Sequence, residues 1–102
     1  MVTAPVEMPR EQIAAFCARN HIRKLSLFGS ILTPRFTEES DVDMLVEFEL
    51  GLGPGLLGIA RMERELTSII GRKVDLRTAG DLSRYFRAEV VASAVPQYVA
   101  SV

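Results

Sequence analysis

From Asp41 to Phe48 the chain alternates without a break: Val42, Met44, Val46 and Phe48 fall on one side of an extended backbone, and Asp41, Asp43, Leu45 and Glu47 on the other. A period of two over this length excludes a helix and makes Val42 to Phe48 the second strand, with one face packed on an apolar layer. It also sets the Asp41 and Asp43 carboxylates on one face, only ~6–7 Å apart along the chain. Two like charges drawn toward an apolar strand cost several kcal/mol unless something compensates them. A hard divalent cation does so, and all-oxygen ligation selects magnesium, with manganese as the alternative, over zinc.

Other segments supply what such a strand needs. Residues 1–8 read as a flexible lead-in, and Pro9 opens a helix with Ile13, Phe16 and Cys17 on one face that stops near Asn20. Lys24 to Phe28 is a short strand leading into a Gly29-Ser30 turn. Pro34 to Ser40 is a loop. After the Gly51 to Gly55 break comes a second helix, with Ile59, Met62, Leu66, Ile69 and Ile70 at helical spacing and Gly71 as its stop. Lys73 to Arg77 is a third strand, and Asp81 caps a last helix with Leu82, Tyr85, Phe86, Val90 and Val91 inward, ended before Pro96. The fold class is α+β, in the order α-β-β-α-β-α, and residues 1–102 form a single domain.

A third acid, Asp75, lies in the third strand between Val74 and Leu76. Three carboxylates, Asp41, Asp43 and Asp75, can hold two metal ions ~3.5–4 Å apart, one on a triphosphate and one lowering the pKa of an attacking hydroxyl. Asp75 is also a candidate proton acceptor. Gly29 lets backbone amides approach phosphate oxygens, Ser30 adds a hydroxyl donor, and Ser40, just ahead of the acidic pair, either caps the loop or touches the nucleotide. Arg72, Lys73 and Arg77 bracket Asp75 and read as local to that site. A helical turn at residues 31–34 would add amide dipoles favouring an anion.

The remaining signals are bland. Gly51 to Gly55 lacks the Gly-Lys-Ser/Thr of a phosphate loop. His21 and Glu47 read as surface residues, Arg61, Glu63, Arg64 and Glu65 as an exposed helix face, Arg84 and Arg87 as solvated, and Cys17 as a small buried hydrophobe. With one cysteine, no internal disulfide or Cys-rich zinc site can form, and a reducing compartment, the cytoplasm, is expected. The 12 basic and 13 acidic residues nearly cancel and are scattered, so no direct nucleic-acid binding is expected. No apolar run reaches a membrane-spanning length.

Gly29-Ser30, ten residues, then Asp41-Val42-Asp43 resembles the GSX10DXD signature of the minimal nucleotidyltransferases, small members of the DNA polymerase beta-like superfamily. Leu25 to Phe28, Ser40, Leu45 to Phe48 and Gly71 to Leu76 also match that family, so the resemblance runs from about residue 22 onward. It implies a short mixed sheet backed by helices, and transfer of AMP from ATP to an acceptor hydroxyl with release of pyrophosphate. It further implies an antitoxin that adenylylates a HEPN-type ribonuclease toxin on a tyrosine. Thr33 and Pro34 replace the Arg and Gly that often follow the Gly-Ser pair in the family, and Arg35 is the nearest substitute for that phosphate contact. Two other functions fit the same residues: a non-catalytic module that neutralises its partner by binding, and transfer to a small molecule or RNA end, which wants a further substrate domain. A homo-oligomer is compatible with the sequence.

Overall fold

The computed structural model describes residues 6–100. Helix α1 (Arg10–Arg19) is followed by strand β1 (Ile22–Phe28), a 3-10 turn (Gly29–Leu32), strand β2 (Val42–Phe48), helix α2 (Leu56–Ile70), strand β3 (Val74–Arg77), a second 3-10 turn (Ala79–Asp81), helix α3 (Arg87–Ser93) and strand β4 (Val95–Val99). The sheet runs β3-β2-β1-β4. It is mixed: β1 pairs antiparallel with both β2 and β4, while β2 and β3 are parallel, as a helical crossover requires.

One layer of helices covers one face of this sheet. Ile13, Phe16 and Cys17 of α1 and Met62, Leu66 and Ile70 of α2 are buried against Ile22, Leu25, Leu27, Val42, Met44, Val46, Val74 and Leu76. The alternation of β2 is therefore realised as read, with Val42, Met44 and Val46 inward and Phe48 packed on the margin. Burial pushes the Cys17 thiol up to about 12, the behaviour of an inert core sulfur. Helix α2 ends at Gly71, whose φ of 80° is left-handed and whose N–H bonds Thr67 O at 2.8 Å. Helix α1 stops at Asn20, but Pro9 is its N-cap, one position ahead of the first turn.

Several expectations are corrected. Within the lead-in, residues 1–5 lie outside the described residues, but Val6 is buried and Met8 packs on the core, so residues 6–8 belong to the domain. The last helix is shorter than read. Asp81 is the third residue of a 3-10 turn capped by Thr78, not a helix cap, and α3 begins only at Arg87. Tyr85, Phe86 and Val91 are exposed, Tyr85 at 84%, because the segment preceding α3 is a turn and α3 leaves Val91 facing outward. Arg87 is no free surface charge: its guanidinium donates to Ala79 O at 2.7 Å and Leu82 O at 2.9 Å, joining α3 to that turn. Pro96 sits inside the unanticipated β4, at the border of the sheet where a missing N–H is tolerated.

Glu63 is the other departure. It accepts the backbone N–H of Leu76 at 2.7 Å, and Thr67 Oγ1 accepts that of Val74 at 3.0 Å, so α2 satisfies the outer border of β3. Glu63→Ala leaves a partly buried donor without a partner and should cost about 1–2 kcal/mol in urea unfolding. Glu63→Gln keeps an acceptor and should cost less than half as much. A loss below ~0.3 kcal/mol for Glu63→Ala would show that the bond contributes nothing.

Candidate active site

The sheet face opposite α1 and α2 carries the acids. Asp43 is the direct register partner of Asp75 across the parallel β2–β3 pair, and of Phe28 across the antiparallel β1–β2 pair. Partners in register point to the same side, so Asp43 and Asp75 share the face opposite the core, with Asp41 two residues earlier along the same chain. Asp43 is partly buried. Its carboxyl is raised above the usual carboxylate range, first by burial and then by the charges of Asp75 and Asp41, against a smaller opposing pull from Arg77. Asp75 and Asp41 thus each lie close enough to act on the Asp43 carboxyl.

Each outer acid has a basic neighbour. Lys73 Nζ is 3.8 Å from Asp41, and Arg77 donates to both Asp75 oxygens at 3.2 and 3.3 Å. Among the described residues no three acidic, imidazole or thiol groups converge on one point as a preformed cage, because Asp41 leans toward Lys73 and Asp75 toward Arg77. In kind and in register the donor set still fits a hard divalent cation: three carboxylates on one face, the central one already disfavoured as an anion by its neighbours. Asp41, Asp43 and Asp75 are the residues that would hold it.

Gly29 lies directly beside this set. Its φ of +78° is left-handed, and a Cβ there would stand 2.4 Å from Asp43 Oδ2. The residue type is therefore needed for space around the carboxylate, a reason additional to phosphate access. Gly29 and Ser30 open a 3-10 turn reaching Leu32, and the first amides of such a turn have no partner within it. The turn falls two residues before the stretch read for it. Ser40 is engaged in its own loop: its hydroxyl accepts the Thr37 N–H at 3.0 Å. Arg35 is exposed, its backbone N–H held by Thr33 Oγ1 at 3.2 Å. Glu47, at the far end of the acidic face, is exposed and paired with Arg23. Where β2 runs past the end of β3, a cavity of about 340 Å3 opens, lined by Leu45, Glu47, Thr78, Ala79 and Val91 among others.

Arg72 is the residue that sequence reasoning undervalued. Grouped with Lys73 and Arg77 as local positive charge, it instead holds the loop ahead of Asp41, donating to the carbonyls of Thr37, Glu38 and Ser40. Its position just after a glycine helix stop was the available signal.

Comparison with known proteins identifies the family. Residues 10–97 match the nucleotidyltransferase domain family. A protein of Methanocaldococcus jannaschii assigned as a protein adenylyltransferase, MJ0435, is 30% identical over 86 residues, 84% of this chain and 90% of its own length. A solved structure assigned as a minimal nucleotidyltransferase is 34% identical and superposes with a TM-score of 0.70, over 85% of this chain and 87% of that one. A chain of a solved complex between a tri-AMPylated Shewanella oneidensis HEPN toxin and an MNT antitoxin shares the fold, with a TM-score of 0.63 at 19% identity, over 89% of this chain and 70% of that one. With the acids in register, the glycine that makes room for them and a family match over most of its length, this chain belongs to the nucleotidyltransferase domain family, as one of its minimal members.

Proposed function

We propose that this nucleotidyltransferase moves AMP from ATP to a hydroxyl of a partner protein, with magnesium or manganese as the metal, and that the partner is a HEPN-type toxin which it silences as an antitoxin. The observation that carries the reading is the register pair Asp43 and Asp75, with Asp41 beside them on the sheet face opposite α1 and α2. Support for the acceptor comes from the relatives: one bears the name protein adenylyltransferase, and one shares its fold with a chain from a complex containing an AMPylated HEPN toxin.

In this reading Asp41 and Asp75 turn from Lys73 and Arg77 to join Asp43. The metal bound there supplies neutralisation of the triphosphate and a lowered pKa for the acceptor hydroxyl. The amides opening at Gly29 and the Ser30 hydroxyl donate to phosphate oxygens, and Arg77, released from Asp75, is free to do the same. The acceptor oxygen bonds to the α-phosphorus, the bond from that phosphorus to the β-bridging oxygen breaks, and pyrophosphate leaves with the electron pair. The hydroxyl proton passes to Asp75.

The test is label transfer from α-labelled ATP to a co-expressed HEPN-type toxin, for wild type with magnesium, wild type with EDTA, and Asp75→Asn. Label is expected in the first alone. Label persisting with EDTA or in Asp75→Asn contradicts the metal-site reading, while absence of label throughout, despite a stable complex, supports neutralisation by binding alone.

A further inference from the structure

The segment between the Gly29 turn and β2 packs on the core through Phe36, but its backbone has no strand partner. Residues 33–40 pair with no strand, and their internal bonds are short-range: Phe36 N to Thr33 O, Ser40 N to Thr37 O, and the Ser40 hydroxyl on Thr37 N. Yet this loop delivers Asp41, which precedes the first residue of β2 and so lies outside the strand that fixes Asp43. The ladder to β3 begins one residue later, where Val42 N bonds Lys73 O at 2.8 Å.

One side chain bridges that gap. Arg72 Nη2 stands 2.9 Å from Thr37 O, 3.0 Å from Glu38 O and 2.9 Å from Ser40 O, and its guanidinium lies over the Phe36 ring at 5.0 Å. Its backbone is aimed by the left-handed Gly71 that stops α2, and it stands three residues before Asp75. The three carbonyl bonds thus extend the β2–β3 attachment upstream, past the last backbone pair, to the residue before Asp41. The two hydrogens of Nη2 are shared among the three carbonyls while the guanidinium plane lies on the Phe36 ring, whereas a lysine ammonium can donate to the carbonyls but has no plane to lay on the ring.

We propose that Arg72 is a positioning residue for the acidic site: by clamping the 36–40 loop to the start of β3, it fixes the main chain at Asp41 beside Asp43 and Asp75, within reach of which the Asp41 carboxylate can turn from Lys73. The assignment rests on the metal-dependent transfer reading above. Arg72 touches neither nucleotide nor acceptor in it and acts only through the loop.

Titration with Mn2+, followed by paramagnetic broadening of backbone amide resonances, tests this without any acceptor. In wild type the broadening should centre on residues 41–43 and 75. Arg72→Ala should need about tenfold more Mn2+ for the same effect, the scale on which groups that orient metal ligands act. Arg72→Lys should recover only part of that loss. A purely structural role would lower the melting temperature of both variants and leave the Mn2+ midpoint of the folded protein unchanged, which overturns the proposal. Should Arg72→Ala fail to fold, Arg72→Gln carries the same comparison. Wild type showing no broadening centred at these residues defeats the metal reading itself, whereas a wild-type response matched by the variants defeats only the role of Arg72.

Discussion

Asp43→Asn should abolish AMP transfer while making the protein more resistant to heat. The loss follows from removing the central carboxylate of the metal set, which forfeits several kcal/mol of transition-state stabilisation, or at least about three orders of magnitude in rate. The gain in stability follows from the sign of its titration. The Asp43 carboxyl is raised on folding by burial and by Asp75 and Asp41, so the folded state holds its proton more tightly than the unfolded state does. Its contribution favours folding below the ordinary Asp value of 3.8 and is lost as pH rises through the raised value. At pH 7 the charged side chain opposes the fold. An amide of the same shape removes the opposition, so the melting temperature should rise above that of wild type. The advantage should shrink toward zero as pH falls below the ordinary Asp range, and magnesium with a non-hydrolysable ATP analogue should stabilise wild type more than the variant. Calorimetry across pH checks all three points. A variant melting below wild type at pH 7 in EDTA would show that Asp43 is not under repulsion.

Gly29→Ala should be nearly as damaging to activity by a different route. A left-handed backbone angle costs an L-residue about 1–2 kcal/mol, which lowers the melting temperature by roughly 5–10 °C. The new methyl also meets Asp43 Oδ2, with Asp43 Cγ and Cβ at 3.2 and 3.3 Å, so the carboxylate must be pushed aside to relieve the contact. Relief of the clash therefore displaces a metal ligand. A misplacement near 1 Å is worth about 100-fold in rate, so transfer should fall by at least that much while the protein remains folded. The two changes act on one group and should not add: in an Asp43→Asn background, Gly29→Ala should reduce the residual rate little further. Full additivity, or transfer within a few-fold of wild type for Gly29→Ala alone, would mean that the two residues do not meet as described.

The elements around the acids were legible because each is written locally. Alternation in β2, helical spacing from Ile59 to Ile70 and the Gly71 stop are short-range patterns, and the structure realises all three. The shared face of Asp41 and Asp43 followed from side-chain parity, whereas the strand order and register that bring Gly29 and Asp75 beside Asp43 did not. What escaped depends on distant partners. Strand β4 exists because Val95 to Val99 finds β1, some seventy residues earlier, and Pro96 reads as a helix stop until that border position is known. Leu82, Tyr85, Phe86, Val90 and Val91 carry helical spacing, yet the turn before α3 and the exposure of its apolar side chains are set by where the Arg87 anchor ties the chain. Glu63 and Arg72 look like ordinary surface charges in one dimension. Their roles appear only when a strand border or a row of loop carbonyls is brought within reach.

The pairing of Asp43 with Asp75 implies that the distance between them is gauged by main-chain geometry, since neighbouring strands lie about 4.8 Å apart whatever side chains they bear. Core residues on the helix side can then be exchanged for others of similar volume without retuning the chemistry, so long as the ladder stays in step. A slip of one position would instead carry Asp75 through the sheet into the layer beneath α2, making correct strand alignment and catalytic competence a single property of the fold.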